Sequence, residues 1–118
     1  MARILVIDDD TECRETIRKA LEREGYILES VGDVDGAIRA IEQKHFDLIV
    51  SDCRMPGKTG LDLMIELGAL GFRIPVLLVS ACADQQTEAA AKELGAVALL
   101  TKPFRLRQLL EYATLALQ

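Results

Sequence analysis

The chain has no tryptophan, one histidine, and only two tyrosines and three phenylalanines. A core built from it has to be aliphatic and alanine-rich, the usual filling of layered α/β proteins. Basic residues are outnumbered, 14 Lys and Arg against 19 Asp and Glu, for a net charge of −5. Without a basic stripe, direct binding of nucleic acid by this chain is not expected. The three cysteines, Cys13, Cys53 and Cys82, are scattered, form no C-x-x-C, and share the chain with the lone His45. That argues against a zinc site and fits free thiols in a reducing, cytoplasmic setting. No apolar run approaches membrane-spanning length. The opening "MARILVIDDD" runs from a short apolar stretch straight into acids, unlike a secretory signal. Internal repeats, linkers and low-complexity tracts are also missing.

What is present is a regular alternation. With 118 residues, half of them hydrophobic, a single domain over 1–118 can bury a core without disulfides or metal staples. Short apolar runs lie at Ile4–Ile7, Ile27–Leu28, Leu48–Val50, Val76–Val79 and Val97–Leu100. Most are near-continuous rather than alternating, which predicts strands covered on both faces. The stretches between them carry helical spacing. Cys13, Ile17, Ala20 and Leu21 precede a stop at Gly25, and Val34, Ala37, Ile38 and Ile41 follow a candidate cap at Asp33. Leu61, Met64, Ile65 and Gly68 follow Thr59, and "QQTEAAAKELG" follows Asp84. Leu106, Leu109, Leu110, Ala113 and Leu117 follow Pro103, which suits the entry to a helix. The pattern is (βα) five times and predicts a parallel sheet with helices on both faces and right-handed crossovers. The fourth helix has the weakest apolar stripe and is expected to pack lightly.

Polar residues close the strands. The first run ends at Asp8 and Asp9, the third at Asp52, the fourth at Ser80, and the fifth at Thr101 and Lys102. In an open parallel sheet these ends share one edge, where ligands bind. Three carboxylates brought together repel unless a cation sits among them, and an open oxygen-donor site suits Mg²⁺. Asp52, carried by a hydrophobic strand into "CRMPGKTG", is then a carboxylate held at a sheet rim to attack phosphorus, with the Pro-Gly loop shaping the pocket wall. Lys102 offers a fixed positive charge to a phosphoryl oxygen and Ser80 a hydroxyl donor.

The elements "LVIDDD" with Arg14 downstream, "DLIVSDCRMPGKTGLDL", "IPVLLVSA" and "LLTKPF" resemble, in order and spacing, the receiver domain of two-component response regulators. The resemblance covers essentially the whole chain, and "DCRMPG" is similar to receivers of transcription regulators. It implies a flavodoxin-like doubly wound sheet of strand order 2-1-3-4-5. Asp52 matches the phosphoacceptor, supplied by a histidine kinase or a histidine phosphotransfer protein. Asp9 matches a direct Mg²⁺ ligand, Asp8 a partner acting through water, and Arg54 a position that gives its backbone carbonyl to the metal. Ser80 matches the switch hydroxyl, Ala81 the small residue after it, and Lys102 the lysine that pairs with the phosphoryl group. The Lys102–Pro103 bond is expected to be cis. Phosphorylation is expected to rearrange the surface of helix 4, strand 5 and helix 5, which meets an output domain, an effector or a second copy. One departure stands out: Leu99 occupies a position where many members carry Tyr or Phe.

Two other readings use the same residues. An interaction-only module would keep the fold without phosphorylation, although such chains usually lose an acid, the hydroxyl or the lysine. A phosphatase resembling the haloacid dehalogenase group would use Asp8-x-Asp10, but Glu12 stands where that motif wants Thr or Val, and the chain is short for one. The receiver reading expects no enzymatic turnover of outside substrates.

Overall fold

The structure, a computed structural model, describes residues 1–81 and 84–118. Elements alternate along the chain: β1 (Arg3–Ile7), α1 (Thr11–Glu22), β2 (Ile27–Val31), α2 (Val34–Gln43), β3 (Leu48–Asp52), α3 (Gly60–Leu70), β4 (Val76–Ser80), α4 (Gln85–Glu93), β5 (Ala98–Thr101) and α5 (Leu106–Ala116). All four strand pairings are parallel, and the order is β2-β1-β3-β4-β5. The parallel sheet is the one the alternation predicts, and its order is the flavodoxin-like one the resemblance implies.

Successive residues of a strand face opposite sides, and β1 shows the result. Leu5 and Ile7 join a core with Val34, Ala37, Ile41, Leu63, Leu67 and Ala91, the helices α2, α3 and α4. Ile4 and Val6 join a second core with Ile17, Leu21, Leu109 and Ala113, the helices α1 and α5. β3 and β4 are buried along their whole length, as continuous apolar runs sandwiched between helix layers should be.

Four helices start on side-chain caps. Asp10, Asp33 and Asp84 accept backbone N–H bonds at α1, α2 and α4. Thr59 forms a reciprocal capping box with Asp62 at α3. At the other end of α3, Gly71 takes the left-handed conformation that stops the helix.

Several expectations need correction. β2 runs five residues, through Glu29 and Ser30. An edge strand has a partner on one side only, so polar residues fit there, and an apolar run underestimates its length. β5 ends on Thr101, one residue later than its apolar run. In α3 the buried face is Leu63 and Leu67, while Ile65 is exposed. The segment "LDLMIELGAL" is apolar nearly all round, so spacing does not single out the inward stripe. Pro103 does not open α5. It follows a cis Lys102–Pro103 bond, Phe104 then packs on the second core, and the helix begins at Leu106. The light packing expected of α4 is what the structure has: of its nine residues only Ala91 is buried. Among the described residues, no helix is long and apolar enough to cross a membrane.

Candidate functional site

The C-terminal ends of β1, β3, β4 and β5 bring the sequence-selected residues together. Asp8 leaves β1 almost fully buried, at 1% exposure. Its Oδ1 accepts the Asp10 N–H at 2.9 Å, and its Oδ2 accepts from Lys102 Nζ at 3.3 Å. Asp9 is exposed beside it. Asp52 ends β3 at 8% exposure, with Lys102 Nζ 3.7 Å from its Oδ2. Ser80 ends β4, fully buried and in register with Thr101. The Lys102 N–H donates to the Ser80 carbonyl at 2.7 Å, so the backbone itself ties the lysine to the end of β4. Ala81 is exposed just beyond.

The loop after Asp52 is anchored from several sides. The Cys53 N–H donates to the Val79 carbonyl at 2.7 Å, and the Gly60 N–H to the Cys53 carbonyl at 3.0 Å. Arg54 donates its backbone N–H to Asp52 Oδ1 at 3.4 Å, and its guanidinium reaches Asp84, the cap of α4, at 3.4 Å. The Pro56–Gly57 tip lines a recess against the start of α2 with Asp33 and Asp35. Lys58 closes it with ion pairs to Asp35 and Glu66. Cys53 is buried, and burial, then the neighbouring Asp52, push its thiol pKa up. Cys13 and Cys53 are free thiols; Cys82 lies outside the described residues.

Charge is not balanced here. One ligand oxygen from each of Asp8, Asp9 and Asp52 lies within 4.8 Å of the others. Burial first, and the Asp8 charge next, raise the Asp52 pKa against the opposing pull of Lys102. Burial alone would lower the Lys102 pKa, yet Asp8 and Asp52 outweigh it and the pKa is raised. Carboxylates that still repel beside a lysine, with oxygen-only donors opening at a sheet rim, fit a hard divalent cation.

A pH-dependent prediction follows. Without divalent cation, Asp52→Asn is expected to melt above the wild type near neutral pH, because it removes a charge that folding disfavours. The native state holds the Asp52 proton more tightly than the unfolded chain does, so this group's contribution falls as pH rises through the raised pKa. The variant's advantage should therefore vanish once pH drops to the ordinary carboxylate range. Thermal melts across pH test this; equal melting temperatures at neutral pH would count against it.

Sequence reasoning missed two neighbours. The spacing places Cys13 on the apolar face of α1, and it does pack on the second core. Its thiol also feels the site: burial, then Asp8, push it up to about 11. Arg14, noted only as part of a motif, donates from Nη1 to the Asp8 carbonyl at 3.1 Å. No periodicity announces either contact. Leu99 packs against the core that holds Ala91 of α4. Asp10, the second acid of the Asp-x-Asp pair, is occupied as the α1 cap, accepting from the Glu12 and Cys13 N–H groups at 2.9 and 3.3 Å.

Comparison with known proteins places the fold and the family. The family model described as the response regulator receiver domain matches residues 4–114. The chain is 31% identical over 107 residues to the two-component response regulator PhoP of Pseudomonas aeruginosa, covering 91% of this chain and 48% of PhoP. It is 36% identical over 108 residues to the response regulator MprA of Mycobacterium ulcerans, covering 92% of this chain and 47% of MprA. The chain thus spans about half the length of the curated relatives it matches. Among solved structures, the chemotaxis protein CheY4 of Vibrio cholerae superposes with a TM-score of 0.91 at 27% identity, over 98% of each chain. A CheY-like receiver domain protein of Methanospirillum hungatei gives 0.92 at 29% identity, over 99% of this chain and 94% of the other.

Proposed function

The chain belongs to the response regulator receiver domain family, and from that premise we propose that Asp52 accepts a phosphoryl group from a histidine kinase or histidine phosphotransfer protein. The observation that carries this reading is the pairing of a buried, strand-end Asp52 with Lys102 Nζ at 3.7 Å inside a three-carboxylate cluster. An Asp52 carboxylate oxygen forms a bond to phosphorus as the P–N bond of the donor breaks. The electron pair leaves with the imidazole nitrogen, which then takes a proton. Lys102, already drawn to Asp8 and Asp52, pairs with one phosphoryl oxygen, and the Ser80 hydroxyl donates to another. Asp9, Asp52 and the Arg54 carbonyl would hold Mg²⁺, with Asp8 acting through water; when bound, the ion supplies charge neutralisation of the transferring group. In register with Val79, and followed by a Cys53 N–H bonded to the Val79 carbonyl, Asp52 is oriented before the donor arrives.

The output in this reading is a changed α4–β5–α5 surface offered to an output domain, an effector or a second copy. α4 suits that role because one buried residue, Ala91, ties it down. Leu99, in place of an aromatic ring, shifts within its aliphatic cluster. The protein works in the cytoplasm beside its donor and turns over no outside substrate. Asp10, taken up as a helix cap, supports that last point, since a phosphatase of the Asp-x-Asp type needs its second acid free.

Intact mass after incubation with acetyl phosphate, with and without Mg²⁺ and beside Asp52→Asn, tests the reading. A gain of one phosphoryl group that needs both Mg²⁺ and Asp52 is expected. No gain from acetyl phosphate and none from a histidine kinase would replace it with an interaction-only module. Steady hydrolysis of a generic phosphate ester would replace it with an enzyme.

A further inference from the structure

Every polar group of Asp8 has a partner. Its N–H donates to the Val31 carbonyl at 3.2 Å, and its two carboxylate oxygens take the Asp10 N–H and Lys102. Its carbonyl takes Arg14 Nη1 at 3.1 Å. Asp9 is the opposite case: among the described residues its carboxylate has no hydrogen bond or ion pair. Its position next to Asp8 and Asp52 depends on the backbone that carries it, beginning with the Asp8–Asp9 peptide. The oxygen of that peptide is the atom Arg14 holds.

Filling space does not explain Arg14. Its Nε is buried and has no hydrogen-bond partner among the described residues, a penalty an unbranched apolar side chain would avoid. Room has also been left for it. A Cβ at Gly32, just past β2, would lie 3.0 Å from Nη1, tighter than ordinary contact.

We propose that Arg14 is a positioning residue for the acidic pair: it fixes the Asp8–Asp9 peptide so that Asp9 stays with Asp8 and Asp52, and Gly32 is small to admit it. This rests on the reading above in that the acids take Mg²⁺.

The experiment uses ¹⁵N-labelled protein: wild type, Arg14→Met, Arg14→Lys, Gly32→Ala and the Arg14→Met/Gly32→Ala double variant. Mg²⁺ affinity is read from amide shifts, and phosphorylation rate from acetyl phosphate at saturating Mg²⁺. Arg14→Met is expected to weaken Mg²⁺ by about tenfold, the size of effect seen when an outer partner of a metal ligand is lost. The rate at saturating Mg²⁺ should return to the wild-type value, and the Asp9 amide should move even without metal. Arg14→Lys should regain part of the affinity through one donor. Gly32→Ala should lose affinity alone but add nothing to Arg14→Met, since the group it displaces is already gone. Unchanged affinity with an unmoved Asp9 amide in Arg14→Met overturns the proposal. If that variant does not fold, Gly32→Ala decides: weakened Mg²⁺ with a native spectrum upholds it, and unchanged Mg²⁺ overturns it. A wild type that binds no Mg²⁺ removes the functional reading and this inference together, whereas a wild type that binds it equally with Arg14→Met removes the inference alone.

Discussion

Lys102→Met is expected to lose about 3 kcal/mol of stability at neutral pH in the absence of divalent cation, the order of cost for stripping the partner from a buried charge. Asp8 is 1% exposed, and Lys102 Nζ is 3.3 Å from one of its oxygens and 3.7 Å from one of Asp52. Methionine matches the length of the stem but leaves two neighbouring carboxylates facing each other. The melting temperature should fall by about 10–15 °C. Two controls separate charge from packing. Mg²⁺ should raise the melting temperature of the variant more than that of the wild type, because no ammonium competes with it in the variant. The gap should also narrow as pH falls through the raised Asp52 pKa, where that carboxylate takes a proton. A loss indifferent to both Mg²⁺ and pH would make Lys102 a packing residue. Phosphorylation of the variant at saturating Mg²⁺ should be slower by about a hundredfold, the usual penalty for losing a preplaced donor at a developing charge.

Gly60→Ala is the second large effect, and its sign runs against propensity. Alanine in place of glycine within a helix ordinarily gains about 1 kcal/mol. At Gly60, the first residue of α3, an added Cβ would lie 2.6 Å from the Asp52 carbonyl oxygen, 3.0 Å from Leu78 Cδ2 and 3.2 Å from the Cys53 Cα. Two of those atoms are backbone at the end of β3, and Leu78 is fully buried. None can yield cheaply, so a net loss of about 3 kcal/mol is expected. At Gly68, in the same helix, an added Cβ would meet nothing within 4 Å among the described residues, and Gly68→Ala should gain about 0.5–1 kcal/mol. Chemical denaturation of the two variants side by side is the measurement. Gly60→Ala should also slow phosphorylation, since the displaced carbonyl belongs to Asp52, the proposed acceptor. Equal stabilisation by both substitutions would show that α3 does not approach β3 this closely.

The architecture was legible wherever burial on both faces forces continuous apolar runs, as at β1, β3 and β4. It was less legible at β2, where an edge position tolerates Glu29 and Ser30, and at α3, where Leu, Met and Ile on every side hide the inward stripe. The entry to α5 was misplaced because a proline that opens a helix and a proline that ends a turn look alike in one dimension. The gathering of Asp8, Asp9, Asp52 and Lys102 could be read because parallel strands place all their C-terminal ends on one edge. The grip of Arg14 on the Asp8 carbonyl, the room left at Gly32 and the Arg54–Asp84 link could not. They depend on the direction and reach of long side chains between elements, which no period encodes.

Lys102 and Asp8 are 94 positions apart, each just past the end of its strand, β5 and β1, with β3 and β4 between them in the sheet. Their contact forms only after nearly the whole chain has closed on itself, the most entropically demanding kind of closure in a fold this size. A nascent or partly assembled chain therefore has its acids without their lysine. If Asp52 takes a phosphoryl group as proposed, chemical competence arrives with the last strand, and the site reports on its own completeness.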